Sequence, residues 1–259
     1  MSGREDTPPP SSGASRAPHP VLPEYYESDA ERQPFVTALF DGAARHYDRV
    51  CALMSFGSGQ WYRRQALVRA GLRRDMKLLD VATGTGLVAR AAVRVVGDPQ
   101  NVIGIDPSRG MLAQARQALA IPLVQGRLDA LPFPDAHFDF LSIGYALRHV
   151  GDLDVAFGEC RRVLKPGGRL LVLEITRSPS VVTRAVTRFY FQQVVPRIMW
   201  ATTRSEPARM LTRYYWDTIA ACVPPAVILD CLSGGGFVDV RRVVFGNCLS
   251  EYVAAKPGA

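Results

Sequence analysis

The chain has 259 residues, 47% hydrophobic and 21% charged, with a formal net charge of +7, which is ordinary globular material with apolar content for one sizeable core. No run approaches the ~20 apolar residues of a membrane helix, and the N-terminal MSGREDTPPPSSG lacks the apolar core of a signal peptide, so a cytoplasmic protein is expected. Cys51, Cys160, Cys222, Cys231 and Cys248 form no CxxC pair and have no histidine at zinc spacing, which predicts free thiols and no metal site.

Residues 1–34 carry three arginines against six carboxylates, so the remainder of the chain is the basic part. Its arginines fall in scattered pairs (Arg63-Arg64, Arg73-Arg74, Arg161-Arg162, Arg241-Arg242) rather than in one stripe. A solvated surface is the expectation, and no nucleic-acid partner.

The first 22 or so residues are rich in Pro, Ser and Gly and cannot bury enough apolar surface to offset ordering entropy. A disordered tail over residues 1–34 is therefore expected, followed by one domain from 35 to 259. From Phe35 the stretch FVTALFDGAARHYDRVCALM carries apolar residues at helical spacing, and WYRRQALVRAGL resumes it after the SFGSG break. Strands and helices then alternate: KLLDVA, a helix from Leu87 to Val96, NVIGID, a helix from Ser108 to Leu119, IPLVQG, FDFLSIG, a helix from Leu153 to Leu164, and RLLVLEIT. That order predicts an α/β fold, a doubly wound, Rossmann-like, mostly parallel seven-stranded sheet. FVDVRRVVF and CLSEYVA are close enough to pair as an antiparallel hairpin at its C-terminal edge.

Between Pro179 and Pro225 lies a stretch that the alternation does not need, expected as a helical insertion over about 180–225. It carries Phe189, Tyr190, Phe191, Trp200, Tyr214, Tyr215 and Trp216 among arginines. These helices are expected to roof the C-terminal edge of the sheet and to line a site for a large apolar or aromatic ligand; the alternative is that the aromatics are the insertion's own core.

The chemistry concentrates in LLDVATGTGLVAR, residues 78–90, an apolar run closed by Asp80 and followed by glycines spaced GxG. Amides exposed where a strand turns into a helix bind anions, and glycines admit a close ligand. A dinucleotide would set its pyrophosphate against that loop, where Asp80 would repel it. A carboxylate there suits the α-ammonium of a methionine moiety instead, with amides near Gly84 and Gly86 facing the methionine carboxylate, as S-adenosylmethionine requires. Asp106, closing the second strand, is placed to accept hydrogen bonds from ribose hydroxyls.

With these motifs in view, residues from about Phe35 to Val253 resemble class I S-adenosylmethionine methyltransferases, and specifically the ubiquinone/menaquinone biosynthesis C-methyltransferase family. The likeness is carried by HYDRVCALMSFGSGQWYR, LLDVATGTG, GIDPSRGML, ALPFPDAHFDFLSIGYALRHVGDLDVAFGECRRVLKPGGRLLVLEIT, and YYWDTI before GFVDV. The resemblance implies methyl transfer to a ring carbon of a quinol, phenol or prenylated aromatic. It implies that Asp80, Thr83, Gly84 and Gly86 hold the methionine end, Asp106 the ribose, and Leu128 with Asp129 the adenine edge, with Pro107 and Met111 also among the cofactor-binding residues. Tyr47 and Tyr145 would close the pocket, and Arg148 would lie next to the acceptor. A lipid-tailed acceptor would be collected from a membrane, so contact of the arginine-bearing helices from Val181 to Trp200 with anionic headgroups is an expectation; a homodimer is left open.

Four positions depart from the family pattern: Leu87 and Arg127 stand where acids are usual, and His149 and Cys51 where Asn is usual. They point to a different acceptor within the same chemistry. A phenol becomes nucleophilic at carbon once its hydroxyl is deprotonated, which makes His149 a candidate base and Arg148 a candidate stabiliser of the phenolate. Three readings follow: a methyltransferase acting on carbon, or else on oxygen or nitrogen; a nicotinamide-dependent oxidoreductase, for which only the GxGxxA match speaks; and a non-catalytic scaffold that binds S-adenosylmethionine.

Overall fold

A computed structural model describes residues 16–178, 180–246 and 248–258. Its sheet is built from β1 (Leu78–Val81), β2 (Val102–Asp106), β3 (Leu123–Gln125), β4 (Phe138–Gly144), β5 (Leu164–Ile175), β6 (Val238–Phe245) and β7 (Leu249–Ala255). The strand order is β3-β2-β1-β4-β5-β7-β6, with the first five parallel and β7 antiparallel to both of its neighbours. The expected doubly wound sheet with an antiparallel C-terminal hairpin is the fold observed.

Continuous apolar runs mark strands covered on both faces, and β1 is buried at every residue. Leu79 and Val81 join Phe138, Phe157 and Tyr252 in the core of one face, while Leu78, Phe140 and Leu171 meet the other core under the helices packed there. Those helices are α3 (Gly59–Arg69) and α4 (Leu87–Val96); α5 (Arg109–Ala118) and α6 (Leu153–Val163) complete the wrapped part. Their starts are set by side-chain caps. Ser108 Oγ accepts from Met111 N–H at 3.0 Å, and Asp152 Oδ1 accepts from the N–H groups of Asp154 and Val155.

Three expectations change. The helical run from Phe35 to Met54 is not one helix: α1 (Asp29–Ala43) ends in a tight turn, and α2 (Tyr47–Met54) sets off after it. The tail does not extend to residue 34. His19, Tyr26 and Arg32 are buried, and Arg32 donates to His19 O at 2.9 Å, so a segment poor in large apolar side chains is anchored by a buried guanidinium instead. Residues 1–15 of the expected tail lie outside the described residues. A further helix, α10 (Pro225–Gly234), buries Ile228, Cys231 and Leu232 against the sheet before β6.

The insertion folds as α7 (Val181–Phe189), a five-residue π turn over Tyr190–Val194, α8 (Val195–Thr203) and α9 (Glu206–Ala221). Its aromatics serve mainly its own core. Tyr214 and Tyr215 pack with Val36 and Leu39 of α1 and with Val195 and Met199 of α8, whereas Phe189 and Trp200 point to solvent. No single helix among the described residues is long and apolar enough to cross a membrane.

Candidate active site

The strand order reverses between β1 and β4, and at such a switch point the loops leaving the strands part to make a crevice. The loop after β1 turns at Ala82 and the loop after β4 at Tyr145, both non-glycine residues with left-handed φ of 53° and 61°. Such a backbone is strained for a side-chain-bearing residue, and it aims both loops into the cleft. Gly86, with φ 85°, is required on two counts, since a Cβ there would also meet Leu119 Cδ1 at 2.4 Å.

The cleft is walled by Ala82 and Gly84 after β1, Asp106 and Pro107 at the end of β2, Arg127, Leu128 and Asp129 after β3, and Gly144, Tyr145 and His149 at and beyond the end of β4. Val36, Thr37 and Phe40 of α1 form its roof, and Tyr47 of α2 closes one end. Thus the roof comes from the N-terminal helices more than from the insertion. Asp41 holds α1 down by accepting from Ser108 Oγ at 2.5 Å and from Gly110 N–H at 2.7 Å. Asp48 ties α2 to the glycine loop by accepting from Thr85 Oγ1 at 2.5 Å.

Asp106 lies on the cleft wall and accepts from Gly84 N–H and Ser108 N–H, both at 2.8 Å. A carboxylate has roughly four acceptor sites, so capacity remains for two hydroxyls. Burial pushes its pKa up to about 6, against the two amides, with the charge of Asp80 adding to the rise. Asp129 also lines the cleft, but it is bound by Arg127 Nε at 2.9 Å, so the basic departure at 127 neutralises the acid beside it.

Asp80 is placed differently from expectation. It is 1% exposed and sits beneath the loop, where it accepts from Ser142 Oγ at 2.6 Å, Thr83 Oγ1 at 2.7 Å and Ala89 N–H at 3.1 Å. Desolvation raises its pKa to about 6 despite these donors. With three of its acceptor sites used and no place on the cleft wall, it orients the loop rather than meeting a ligand ammonium. Thr83 turns inward to Asp80, Gly86 caps α4, and Met111 is buried in α5, so these three also support the wall from behind.

A second cavity, of about 270 Å³, opens beyond Tyr47 and Tyr145, which line both spaces. Cys51, Met54 and Phe56 of α2 and its following turn, Tyr62 and Arg63 of α3, Arg148, and Tyr215 of α9 surround it. Tyr215 donates to Tyr47 Oη at 3.0 Å, fixing the dividing ring. Three of the four departures from the family pattern are at these cavities: Arg127 and His149 on the cleft, Cys51 on the second cavity. Arg63, Asp41, Ser142 and Glu174 escaped the sequence reading; for Ser142 the signal was its place in FDFLSIG, on the strand that pairs with β1 across from Asp80.

Arg148 and His149, expected to act together, face different spaces. Arg148 is buried in an ion pair with Glu174, whose other oxygen accepts from Leu147 N–H at 2.9 Å, and Thr218 Oγ1 lies 3.4 Å from Arg148 Nε. His149 stacks on Tyr214 with ring centres 5.4 Å apart and has no hydrogen-bond partner on either nitrogen among the described residues. Burial, together with the cations Arg148 and Arg32 and with His19, holds its pKa well below the usual value. The imidazole is neutral and accepts a proton poorly, which removes the physical basis for a strong general base there.

The ubiE/COQ5 methyltransferase family model matches residues 27–216. The chain is 37% identical to the ubiquinone/menaquinone biosynthesis C-methyltransferase UbiE of Shewanella halifaxensis over 182 residues, 67% of this chain and 72% of the relative. Among solved structures, the cyclase SpnF is similar with a TM-score of 0.62 and 18% identity, over 94% of this chain and 100% of that one. A phosphoethanolamine N-methyltransferase of Haemonchus contortus in complex with S-adenosylhomocysteine is similar with a TM-score of 0.55 and 17% identity, over 76% of this chain and 53% of that one. At those identities the structures testify to the fold alone.

The cleft fits S-adenosylmethionine. Asp106 has free acceptor capacity for a diol, and a Cβ added at Gly84 would find only Tyr47 Cε1, at 3.9 Å, so the backbone is open to close approach.

Two outcomes follow. Because a carboxyl with a raised folded pKa binds its proton more tightly in the native state, its cost to stability is absent below about pH 4 and grows as pH rises toward about 6. Asp106→Asn should therefore gain stability relative to the parent between about pH 4 and pH 7, by on the order of 2 kcal/mol in urea titrations; a difference flat with pH would contradict the burial argument. Glu174→Ala strands a buried cation and should cost about 3–5 kcal/mol, most of it recovered when Arg148→Met is added. Additive penalties in that double-mutant cycle would show that the two charges do not interact.

Proposed function

Since the chain belongs to the ubiE/COQ5 methyltransferase family, whose members are S-adenosylmethionine-dependent enzymes, we propose that it transfers a methyl group to a ring carbon of a quinol, phenol or prenylated aromatic. One observation carries this reading: the cofactor cleft and the apolar second cavity share the rings of Tyr47 and Tyr145, so a group handed from one space to the other passes between them.

S-adenosylmethionine supplies, when bound, an electrophilic methyl on sulfur. Asp106 would hold the ribose diol, Leu128 and Asp129 the adenine edge, and the open backbone at Gly84, whose own N–H is held by Asp106, would let the amino-acid end approach closely. The chain's contribution is then orientation and exclusion of water. Tyr47 and Tyr145 fix the line of approach, and both are held: Tyr47 by Tyr215, and Tyr145 by its N–H, which donates to Leu173 O at 2.7 Å. Phe40 and His149, with ring centres 5.3 Å apart, seal the cleft beside them.

A lipid-tailed acceptor is supported by the surface next to the second cavity. Phe56, on the cavity rim, is 81% exposed and stacks on Tyr190 at 5.2 Å. From Tyr190 the chain runs back into α7, which exposes Val181, Val182, Val186 and Phe189 beside Arg184 and Arg188. An apolar stripe flanked by cations suits an anionic bilayer surface.

Incubation with labelled methyl donor and a reduced 2-prenyl-1,4-naphthoquinol should yield a product heavier by one CH2, with the label on the ring carbon by NMR; label found only on oxygen would overturn the carbon assignment. In sedimentation at low salt, the protein should follow phosphatidylglycerol vesicles, and Phe189→Asp should weaken that binding at least about tenfold, from lost apolar burial and added repulsion. Equal recovery with phosphatidylcholine vesicles alone would count against the surface reading.

A further inference from the structure

Three arginines are deeply buried among the described residues: Arg32, Arg63 and Arg148. Arg32 pairs with Asp29 and Arg148 with Glu174. Arg63 is 7% exposed, makes neither a hydrogen bond nor an ion pair among the described residues, and has a buried Nε with no partner. Its guanidinium lies 5.4 Å from the centre of the Tyr145 ring, on the wall of the second cavity. Desolvating a cation without a counter-charge is expensive, and proteins retain such a group where a ligand brings the charge.

The seat for this guanidinium is built in the backbone one turn earlier. A Cβ at Gly59 would meet Arg63 Nη1 at 2.4 Å and Ser55 Oγ at 2.9 Å, although the Gly59 backbone needs no glycine for its conformation. With no side chain at Gly59, the Arg63 guanidinium can lie against the start of α3 at the cavity wall. Among the described residues no carboxylate bonds to it, and Asp80, which feels its charge, does so from beneath the loop. Glu174 is spent on Arg148, Glu251 on Arg69 at 2.5 Å, and Asp80 is closed under the loop by its three donors. The remaining titratable neighbours are neutral: burial pushes the Cys51 thiol up to about 11 and Tyr145 up to about 12, and it raises Tyr47, Tyr62 and Tyr215 as well.

We infer that Arg63 is the anion-binding residue of the acceptor site, and that the acceptor is held there as a planar aromatic whose oxygen is ionised, a phenolate seated between Arg63 and the Tyr145 ring. This rests on the reading of the chain as a methyltransferase of phenols or quinols. Arg148 cannot serve in its place, since its charge is already matched. The acceptor hydroxyl gives its proton to solvent on binding beside the cation. The electron pair delocalised onto the ring carbon forms the bond to the methyl group as the carbon–sulfur bond breaks, and the pair of that broken bond stays on sulfur. The proton on the methylated carbon then leaves to solvent and the ring regains its aromaticity.

The probe is 4-nitrophenol, whose phenolate absorbs in the visible, added to protein saturated with S-adenosylhomocysteine so that the cofactor cleft is filled. Bound to the parent protein, it should ionise about one pH unit below the free probe, a tenfold change in the phenolate to phenol ratio. Arg63→Met should abolish that shift and bind the phenolate at least about tenfold more weakly, Arg63→Lys should keep part of it, and the exposed neighbour change Arg64→Met should leave it intact. Each variant is titrated with S-adenosylhomocysteine, and unchanged affinity certifies an intact cleft. On the parent protein alone, 4-nitroanisole, which cannot ionise, should compete at least about tenfold more weakly than the phenolate, a result independent of whether any variant folds. The proposal falls if Arg63→Met keeps the parent's shift, if the parent prefers the neutral phenol or the anisole, or if the probe does not bind. Failure of the parent to bind S-adenosylhomocysteine, with the phenolate shift present, would instead overturn the methyltransferase reading and leave the anion site standing.

Discussion

The buried carboxylate of Asp80 is the interaction on which the site depends. It stands on β1 at the point where strand order reverses, and its three hydrogen bonds reach the neighbouring strand through Ser142, the glycine loop through Thr83, and the first turn of α4 through Ala89. One side chain therefore sets the spacing of β1 and β4 at the crevice and the direction in which the loop leaves. Its burial is costly, as the raised pKa records, and the cost is tolerated because a carboxylate can bind three donors that diverge in space while an apolar residue can bind none. With the loop held from below, the amide of Gly84 is free to hold Asp106 from above, and the second acid stays at the surface of the cleft.

The different placement of these two buried acids, one under the loop and one on the cleft wall, explains what the sequence made legible. Period-two and period-3.6 apolar patterns follow from burial on one or both faces, so the strands and the helix Leu87–Val96 could be read directly, and the alternation fixed the layer architecture. Asp80 and Asp106 could be read as strand-end acids, but whether a carboxylate points up into the crevice or down under the loop depends on its neighbours in space. Ser142 is 62 positions from Asp80, and nothing in LLDVATGTG announces it. The case against a dinucleotide, built on repulsion by Asp80, loses force once that charge is seen to be sealed below the loop. Family membership decides the cofactor instead.

The same limit governs the helical regions. The turn at residues 44–46 that divides α1 from α2 carries no glycine or proline, so the run read as one helix; tertiary packing of Tyr47 toward the cleft bends it. Residues 16–28 looked too poor in apolar side chains to be ordered, and they are ordered by polar means, with Arg32 donating to His19 O and Tyr25 Oη donating to Asp217 at 2.5 Å. The aromatics of the insertion were visible as a cluster. Periodicity alone could not divide a core from a cavity lining, and in the fold Tyr215 is the one of the seven that reaches the second cavity.

Charge pairing separates residues that adjacency in sequence would join. Arg148 and His149 follow one another in a short turn, which directs them to opposite sides of the partition formed by Tyr47 and Tyr145. The first is neutralised by Glu174 and the second is held uncharged by burial among cations, so neither brings a net charge to the acceptor. Both instead stiffen the partition: Arg148 lies 5.8 Å from the centre of the Tyr215 ring, whose hydroxyl holds Tyr47, and His149 stacks on Tyr214. A transfer between two cavities needs rings that stay in place more than it needs a strong base, because a phenol that is ionised on arrival leaves the protein only the task of alignment. Buried and matched charges supply that rigidity, and an unmatched one supplies the attraction.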